Sequence, residues 1–293
     1  MNRPEEPADT QITAGVLYVV ATPIGNLDDI SVRAAEILRQ VDLIAAEDTR
    51  HSAILLKHLS VDTSMMALHD FNERDKVEEV LGLLGRGRDV ALISDAGTPL
   101  ISDPGYRLVS QAREMGIRVS PVPGPCALIA ALSASGLPCD SFVFEGFPPA
   151  KAAGRLALFQ SLARETRTLI FYEAPHRILA CLADMREAFG AGRYVVLARE
   201  LSKTYESIYG DVLEKLEDWI NRDENRQRGE IVVLVHGAEQ PDTTMDQHTT
   251  DVLMTLMDEL PLKQAVALAA RITGRKKNLL YQRALQLRAE SGN

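Results

Sequence analysis

Ser94-Asp95-Ala96-Gly97-Thr98-Pro99-Leu100-Ile101-Ser102-Asp103-Pro104-Gly105 is the stretch from which the rest of the chain is read. Before it, Val90-Ala91-Leu92-Ile93 is a short apolar run bounded by Gly87 and Asp89, which predicts a buried strand. After it, Tyr106, Leu108, Val109 and Ala112 recur at helical spacing. The connection is long for a strand-to-helix loop, which needs only about 2–6 residues. Its glycines permit a left-handed backbone or close approach, its prolines stiffen it, and Asp95 and Asp103 put negative charge towards its ends. A capped surface loop would share the composition. Length, stiffness and position together favour a ligand loop, because open α/β sheets bind at the carboxyl ends of their strands.

Working outward, the first half alternates strands and helices. Strands are expected at 16–20, 43–46, 65–68, 90–93 and 117–122. Helices are expected at 30–41, around Ile54-Leu55-Leu56, from Asp75 with Glu78 as its capping box, and after Tyr106. That order predicts a mostly parallel, twisted sheet covered on both faces. Pro121-Val122-Pro123-Gly124-Pro125 reads as a stiff crossover and a domain boundary. Beyond it, strands are expected at 141–147, 167–172, 194–198, 204–209 and 230–235, and helices near Leu156–Leu162, 175–189 and 212–220.

Charged clusters sit at the predicted strand ends: Glu47-Asp48-Thr49-Arg50, His69-Asp70, Glu173 with His176 and Arg177, and Arg199-Glu200 with Lys203. One such cluster is explained by an N-cap and a surface ion pair. Four of them, from both halves, suggest a shared polar cleft. The strand–turn–helix at Ala21-Thr22-Pro23-Ile24-Gly25 lacks the three glycines of a dinucleotide fingerprint, and Pro23 and Gly25 also suit a simple turn.

Of 293 residues, 46% are hydrophobic and 25% charged, as in an ordinary globular protein, and the length allows two domains. No apolar run approaches the roughly 20 residues of a membrane span, and residues 1–14 read as an acidic, disordered tail, not a secretory signal. Cys126, Cys139 and Cys181 form no metal or disulfide pattern, so no metal and a reduced cytoplasm are expected. The net charge of −9 argues against indiscriminate coating of nucleic acid. The end of the chain differs. After an acidic connector from Glu239, basic residues Lys263, Arg271, Arg275, Lys276, Lys277, Arg283 and Arg288 gather on three expected helices at 249–260, 262–273 and 277–288. The short Gly-containing turn at 273–276 resembles that of a helix-turn-helix unit, although a solvated basic cap has the same pattern.

The ordered set Val20-Ala21-Thr22-Pro23-Ile24-Gly25-Asn26-Leu27, Ala46-Glu47-Asp48-Thr49-Arg50, the 94–105 stretch, Val122-Pro123-Gly124-Pro125, Phe171-Tyr172-Glu173-Ala174-Pro175-His176-Arg177 and Ala198-Arg199-Glu200-Leu201-Ser202-Lys203 carries a resemblance. From about Gly15 to Arg288 the chain resembles the bacterial small-subunit ribosomal RNA 2′-O-ribose methyltransferases of the tetrapyrrole methylase superfamily. The resemblance implies two α/β domains (15–122 and 123–238) with a cleft between them, and a helical, helix-turn-helix-like, RNA-contacting module at 239–293. It implies S-adenosylmethionine as cofactor, a decoding-centre cytidine within the 30S subunit as substrate, and a homodimer. Where the superfamily has a Gly-Asp-Pro loop, this chain has Ser94-Asp95-Ala96, with Gly97 and Pro99 displaced. The implied cofactor contacts fall at Pro23, Gly25, Asp95, Gly97, Ser102, Ala127, Leu128, Tyr172, Leu201 and Gly229.

The chemistry is consistent with that resemblance. A carboxylate such as Asp95 suits an ammonium group, and in-line methyl transfer depends on orientation. A ribose hydroxyl needs a base or a cation beside its oxygen. Asp48, Glu173, Glu200 and Lys203 are the strand-end candidates, with His69 beside them, and the sequence does not order them. Arg50, His69, Lys151, Arg177, Arg275, Lys276 and Lys277 are candidates for the substrate. Two other readings use the same residues: a methyltransferase of a tetrapyrrole precursor or protein side chain, and a non-enzymatic nucleic-acid-binding regulator.

Overall fold

The computed structural model describes residues 14–69, 73–238 and 247–290. The expected disordered tail, the Asp70-Phe71-Asn72 segment and most of the acidic connector lie outside them. The chain forms two compact units, Met1–Ala238 and Glu239–Asn293.

In the larger unit, β1 (Val16–Val20), β2 (Leu43–Ala46), β3 (Met65–Ala67), β4 (Val90–Ile93) and β5 (Arg118–Val122) form one sheet in the order β3-β2-β4-β1-β5. Every pairing in it is parallel. Parallel sheets need cover on both faces, and β4 shows why its sequence is wholly apolar. Val90 and Leu92 enter one core with Leu17 and Leu108; Ala91 and Ile93 enter the other with Val20 and Leu38. Each such Val, Leu or Ile contributes roughly 1.5–3 kcal/mol by leaving water. The covering helices are α1 (Val32–Gln40), α2 (Thr49–His58), α3 (Glu73–Gly85) and α4 (Tyr106–Glu114).

The order of strands fixes where a ligand can sit. β1 and β4 are neighbours, yet the chain leaves β1 towards β2 and leaves β4 towards β5, in opposite directions across the sheet. That is the topological switch point, and its crevice opens at the carboxyl ends of both strands. Residues 21–25 and the 94–105 loop meet there, joined by a two-residue bridge. The Thr22 N–H donates to the Gly97 carbonyl at 2.8 Å and the Gly97 N–H to Thr22 at 3.0 Å.

The second sheet is mixed. β6 (Phe142–Gly146), β7 (Thr168–Glu173), β8 (Tyr194–Arg199), β9 (Ser207–Val212) and β10 (Ile231–Val235) run in the order β6-β7-β10-β8-β9, with only β6 and β7 parallel. Its central strands β7, β10 and β8 alternate, while β6 has a register irregularity between Phe144 and Gly146. Leu169, Phe171, Ile231 and Val233 pack under α6 (Ala152–Ser161), α7 (Ile178–Phe189) and α8 (Leu213–Asn221). Ile170, Val196, Val232 and Leu234 face Leu128, Ala131 and Leu132 of α5 (Ala127–Ser135).

Several boundaries differ from the sequence reading. The first helix begins at Val32, because Ser31 is its N-cap and residues 27–29 form a separate 3₁₀ turn capped by Asn26. α3 begins at Glu73, so Asp75 lies in its first turn and not at its cap. β9 begins at Ser207 and not at 204, because residues 200–205 are committed to turns.

The smaller unit contains α9 (Gln247–Glu259), α10 (Leu262–Thr273) and α11 (Lys277–Glu290), packed on Leu253, Val266, Ala269, Leu280 and Ala284. Gly274 ends α10 in the left-handed region, with φ +69°. Arg275 is half-buried in the turn, and Lys276 and Lys277 are exposed at the start of α11, as expected.

Candidate active site

A cavity of about 400 Å³ lies between the two sheets, within the size range of small-molecule sites. The 94–105 loop forms one wall through Asp95, Gly97, Ile101, Ser102 and Asp103. The second sheet supplies Phe147, Tyr172, Leu201 and Val232, and the start of α5 supplies Ala127. A smaller cavity of about 260 Å³ adjoins it, sharing Ile24, Asp95, Ala96 and Glu230, and is otherwise lined by Pro23, Gly25, Ser52, Ile54, Leu55 and Lys203 among others.

The loop owes its shape to residues that hold an unfavoured backbone. Gly97, Leu100, Ser102 and Gly105 all have positive φ, from +69° to +117°. Side chains outside glycine cost about 1–2 kcal/mol in this region. Thr22 and Ser94 are buried beneath the loop; the Thr22 hydroxyl donates to the Ser94 carbonyl at 3.1 Å. The Thr98 hydroxyl donates to the Pro125 carbonyl at 3.0 Å, tying the loop to the segment before α5.

The larger cavity is acidic as well as apolar. Asp95, Asp103 and Glu47 all line it. Burial raises the Asp103 pKa to about 6; a hydrogen bond from Ser94 pulls it back, and the charges of Glu47 and Asp95 add to the rise. Asp95 accepts the Asp48 backbone N–H at 3.1 Å. No group of three or more His, Cys, Asp or Glu among the described residues is placed to share a metal ion. Carboxylates in an apolar chamber suit an organic cation, so the residues present fit a cationic methyl donor.

The expected cofactor residues divide. Asp95, Gly97, Ser102, Ala127, Tyr172 and Leu201 line the larger cavity. Pro23 and Gly25 line the smaller one instead. The Leu128 N–H is already engaged, donating to Tyr172 Oη at 3.1 Å. That bond serves α5, whose N-cap Cys126 has no side-chain capping bond. Burial holds the Tyr172 phenol protonated, and its ring meets Phe144 and Phe147 edge-on at 4.9 and 5.6 Å. Gly229 lines neither chamber and abuts Glu200: with φ +84°, a Cβ there would fall 2.4 Å from the Glu200 carboxyl carbon.

The charged candidates divide too. Asp48 caps α2, accepts the Arg50 N–H at 2.8 Å and pairs with the Arg50 guanidinium at 2.9 Å, which holds its pKa down to about 2. Its neighbour Glu47 is the residue that lines the cavity. Glu173 also lines the larger cavity, while its carboxylate follows Leu169 and Phe171 to the α7 face by strand alternation. There it is buried and accepts from Arg177 Nε at 2.8 Å and from the Ala174 N–H at 2.7 Å. Burial and the adjacent Glu173 hold the Cys181 thiol protonated. His69 lies two residues beyond β3 and Lys151 precedes α6, and neither lines the two cavities.

Lys203 lines the smaller cavity, and Glu200, which lines neither chamber, backs it. Lys203 Nζ lies 3.0 Å from Glu200 Oε1 and 3.1 Å from Glu230 Oε2. Burial opposes the lysine's charge, but these two partners outweigh it and raise its pKa. Burial likewise opposes ionisation of Glu200, and the Glu230 N–H and Lys203 overcome it. Sequence reasoning missed Glu47, Asp103, Phe147 and Glu230 as site residues. Asp103 and Phe147 had visible signals, a loop aspartate and a strand-end aromatic. Glu230 had none.

Residues 16–217 match the family model described as Tetrapyrrole (Corrin/Porphyrin) Methylases. The chain belongs to that family. Residues 244–288 match a second model, the RsmI C-terminal HTH domain. Among curated proteins it is similar to "Ribosomal RNA small subunit methyltransferase I" of Pseudomonas aeruginosa, 60% identical over 96% of this chain and 100% of that protein. The protein of that name from Escherichia coli O157:H7 is 54% identical over 93% of this chain and 95% of that one. Among solved structures, the methyltransferase CobJ superposes with a TM-score of 0.58 at 20% identity, over 77% of this chain and 95% of that one. Uroporphyrin-III-C-methyltransferase from Thermus thermophilus gives 0.55 at 19%, over 76% and 94%. At these identities the structural likeness speaks for the fold. The sequence relatives and the family make the chain a methyltransferase.

Proposed function

We propose that this protein transfers a methyl group from S-adenosylmethionine to the 2′-hydroxyl of a cytidine in the decoding centre of small-subunit ribosomal RNA. The observation that carries the donor is the acidic, apolar 400 Å³ cavity at the switch point, with Asp95 on its wall. The cofactor supplies an electrophilic methyl carried by a sulfonium cation. Asp95 and Asp103 offer countercharge to its cationic groups, while Ile24, Ile101, Leu201 and Val232 exclude water from the flat apolar part. Gly97, Ser102 and Ala127 frame it through the loop and the start of α5.

The choice of ribosomal RNA over a tetrapyrrole or a protein side chain is supported by the names of the similar full-length proteins and by the second family match over the tail. Arg275, Lys276 and Lys277 place basic groups at a helix start, where they oppose the helix dipole and suit phosphate instead. Arg50, 91% exposed beyond its pair with Asp48, and Lys151 are further candidates for the RNA backbone. We assign Glu173 and Arg177 to holding β7 against α7. A cytoplasmic homodimer acting on the assembled 30S subunit completes the reading.

Transfer of labelled methyl from S-adenosylmethionine to unmodified 30S subunits, followed by mapping of the modified nucleotide, tests it. Label at one cytidine ribose is expected. Label on a base, on protein, or only on a small tetrapyrrole would overturn it.

A further inference from the structure

We infer that the smaller cavity receives the acceptor ribonucleotide, and that Lys203, clamped between Glu200 and Glu230, meets its reacting hydroxyl as a cation and not as a base. The inference rests on the methyltransferase reading above and adds the acceptor site and the residue that touches it.

Three independent features build this clamp. The first is steric. Lys203 lies across the turn after β1, so that a Cβ at Gly25 would come 2.4 Å from Lys203 Cγ and 2.9 Å from Cε. Gly25 is therefore a positioning residue that makes room for the lysine. The second is the backbone under Glu200. Glu200 and Ser202 hold φ of +52° and +66°, a cost of about 1 kcal/mol or more each. Glu200 is kept there by its N–H bond to the Glu230 carbonyl at 2.9 Å, and Oε1 of its side chain accepts the Glu230 N–H at 2.9 Å. Gly229 leaves space for that carboxyl. The third is donor count. A lysine ammonium has three N–H donors. Glu200 and Glu230 take two, which leaves one for a ligand in the chamber that Lys203 lines.

The two cavities share Asp95, Ala96, Ile24 and Glu230. The two chambers therefore adjoin, which brings a donor in the larger next to a hydroxyl in the smaller; in-line displacement then depends on their orientation. In the step itself the hydroxyl oxygen forms a bond to the methyl carbon. The carbon–sulfur bond breaks with its electron pair going to sulfur, and the hydroxyl proton leaves to water. Lys203 keeps its proton throughout and stabilises the developing alkoxide. A lysine between two carboxylates is badly placed to act as a base, because losing its proton would remove the cation that pairs with both acids.

The experiment combines turnover on 30S subunits, calorimetry with S-adenosylhomocysteine, and methyl NMR with cytidine 5′-monophosphate on the S-adenosylhomocysteine complex. Lys203→Ala is expected to lower kcat about 100-fold, the scale of losing one oxyanion donor, with S-adenosylhomocysteine affinity within threefold of wild type. Lys203→Arg should recover part of the rate. Glu230→Gln, at an exposed carboxylate, should slow the reaction at pH 7; acceleration there would mean that a neutral lysine is the active form and would overturn the assignment. Unchanged turnover in Lys203→Ala would overturn it as well. A tenfold loss of S-adenosylhomocysteine affinity in Lys203→Ala would move the lysine to the cofactor site. If the wild type does not methylate 30S subunits, the substrate reading fails, and NMR still decides the cavity. Cytidine monophosphate should shift the Ile54 methyl signal, and Lys203→Ala should demand severalfold more nucleotide. A shift confined to other methyls, or none, would refute the acceptor site.

Discussion

The 94–105 loop after β4 and the 200–206 loop after β8 both bend at residues with positive φ, and both end at the crevice. They reach that conformation differently. The first uses Gly97 and Gly105, with Leu100 and Ser102 between them. The second has no glycine and holds Glu200 and Ser202 at +52° and +66° by bonds from outside itself. Glu230 fixes Glu200 through the backbone, Glu206 Oε2 accepts the Ser202 N–H at 2.7 Å, and the Ser202 hydroxyl meets Asp29. The glycine that permits this shape, Gly229, sits just ahead of a different strand. One loop carries its own conformational freedom; the other borrows it.

Substitution at the two glycines sharpens that contrast and should give the largest effects. Gly97 at φ +85° is bridged to Thr22 on both its N–H and its carbonyl, so the backbone cannot turn to accommodate a side chain. Gly97→Val should cost roughly 3 kcal/mol of stability, read from denaturant midpoints. It should also abolish cofactor binding in whatever protein remains folded. Gly229→Ala meets a carboxylate that can swing away. A smaller loss, roughly 1–2 kcal/mol, is expected there, with S-adenosylhomocysteine affinity retained and methyl transfer reduced. Equal loss of cofactor affinity in both variants would break the distinction.

The same contrast explains what could be read from the chain alone. The parallel sheet was legible because β4 and its neighbours are short apolar runs between turn residues, and such strands have few alternatives. The first loop was legible because glycine and proline announce an unusual backbone. Asp95 followed from its place in that loop. The second loop was only half legible. Its charges were visible, but turn chemistry carried by Glu200 and Ser202 has no compositional mark, so β9 was expected three residues too early. Glu173 and Asp48 looked like site residues by position along their strands. Glu173 does line the larger cavity, but its carboxylate is engaged by Arg177 and the Ala174 N–H, and helix capping engages Asp48. Which partner a charged side chain meets across the fold is not present in a local pattern.

A middle-sized effect should come from Asp103, the acid of the self-sufficient loop. Its pKa is raised from 3.8 to about 6. A raised acid binds its proton more tightly in the folded protein. Its contribution to stability is therefore full below about pH 4 and is lost as pH rises through about 6. Binding of a cationic donor should follow the opposite course, since the ionised form is the one that attracts it. Between pH 5 and 7 the affinity for S-adenosylmethionine should rise roughly tenfold, as the ionised fraction does. Asp103→Asn should flatten that rise in calorimetry. A profile that stays equally steep in the variant would assign the titration to another group.

The smallest effect separates the loops most cleanly, because it alters one serine in each. Ser102 and Ser202 have nearly the same φ, +69° and +66°. Glycine at either site relieves about 1–2 kcal/mol of left-handed strain and returns about 0.5–1 kcal/mol of that through the greater entropy of the unfolded chain. At Ser102 the side chain is exposed, so the difference should remain as a gain of about 0.5 kcal/mol. In a chain of this size that is a rise in Tm of about 1–2 °C. At Ser202 the hydroxyl bond to Asp29 is lost as well. An exposed bond of that kind is worth about 0.5–1 kcal/mol, enough to cancel the gain. Ser102→Gly is therefore expected to melt slightly above wild type and Ser202→Gly level with it or slightly below. Stabilisation of both by the same amount would show that the second loop does not depend on its outside contacts, and the contrast between the two loops would fall.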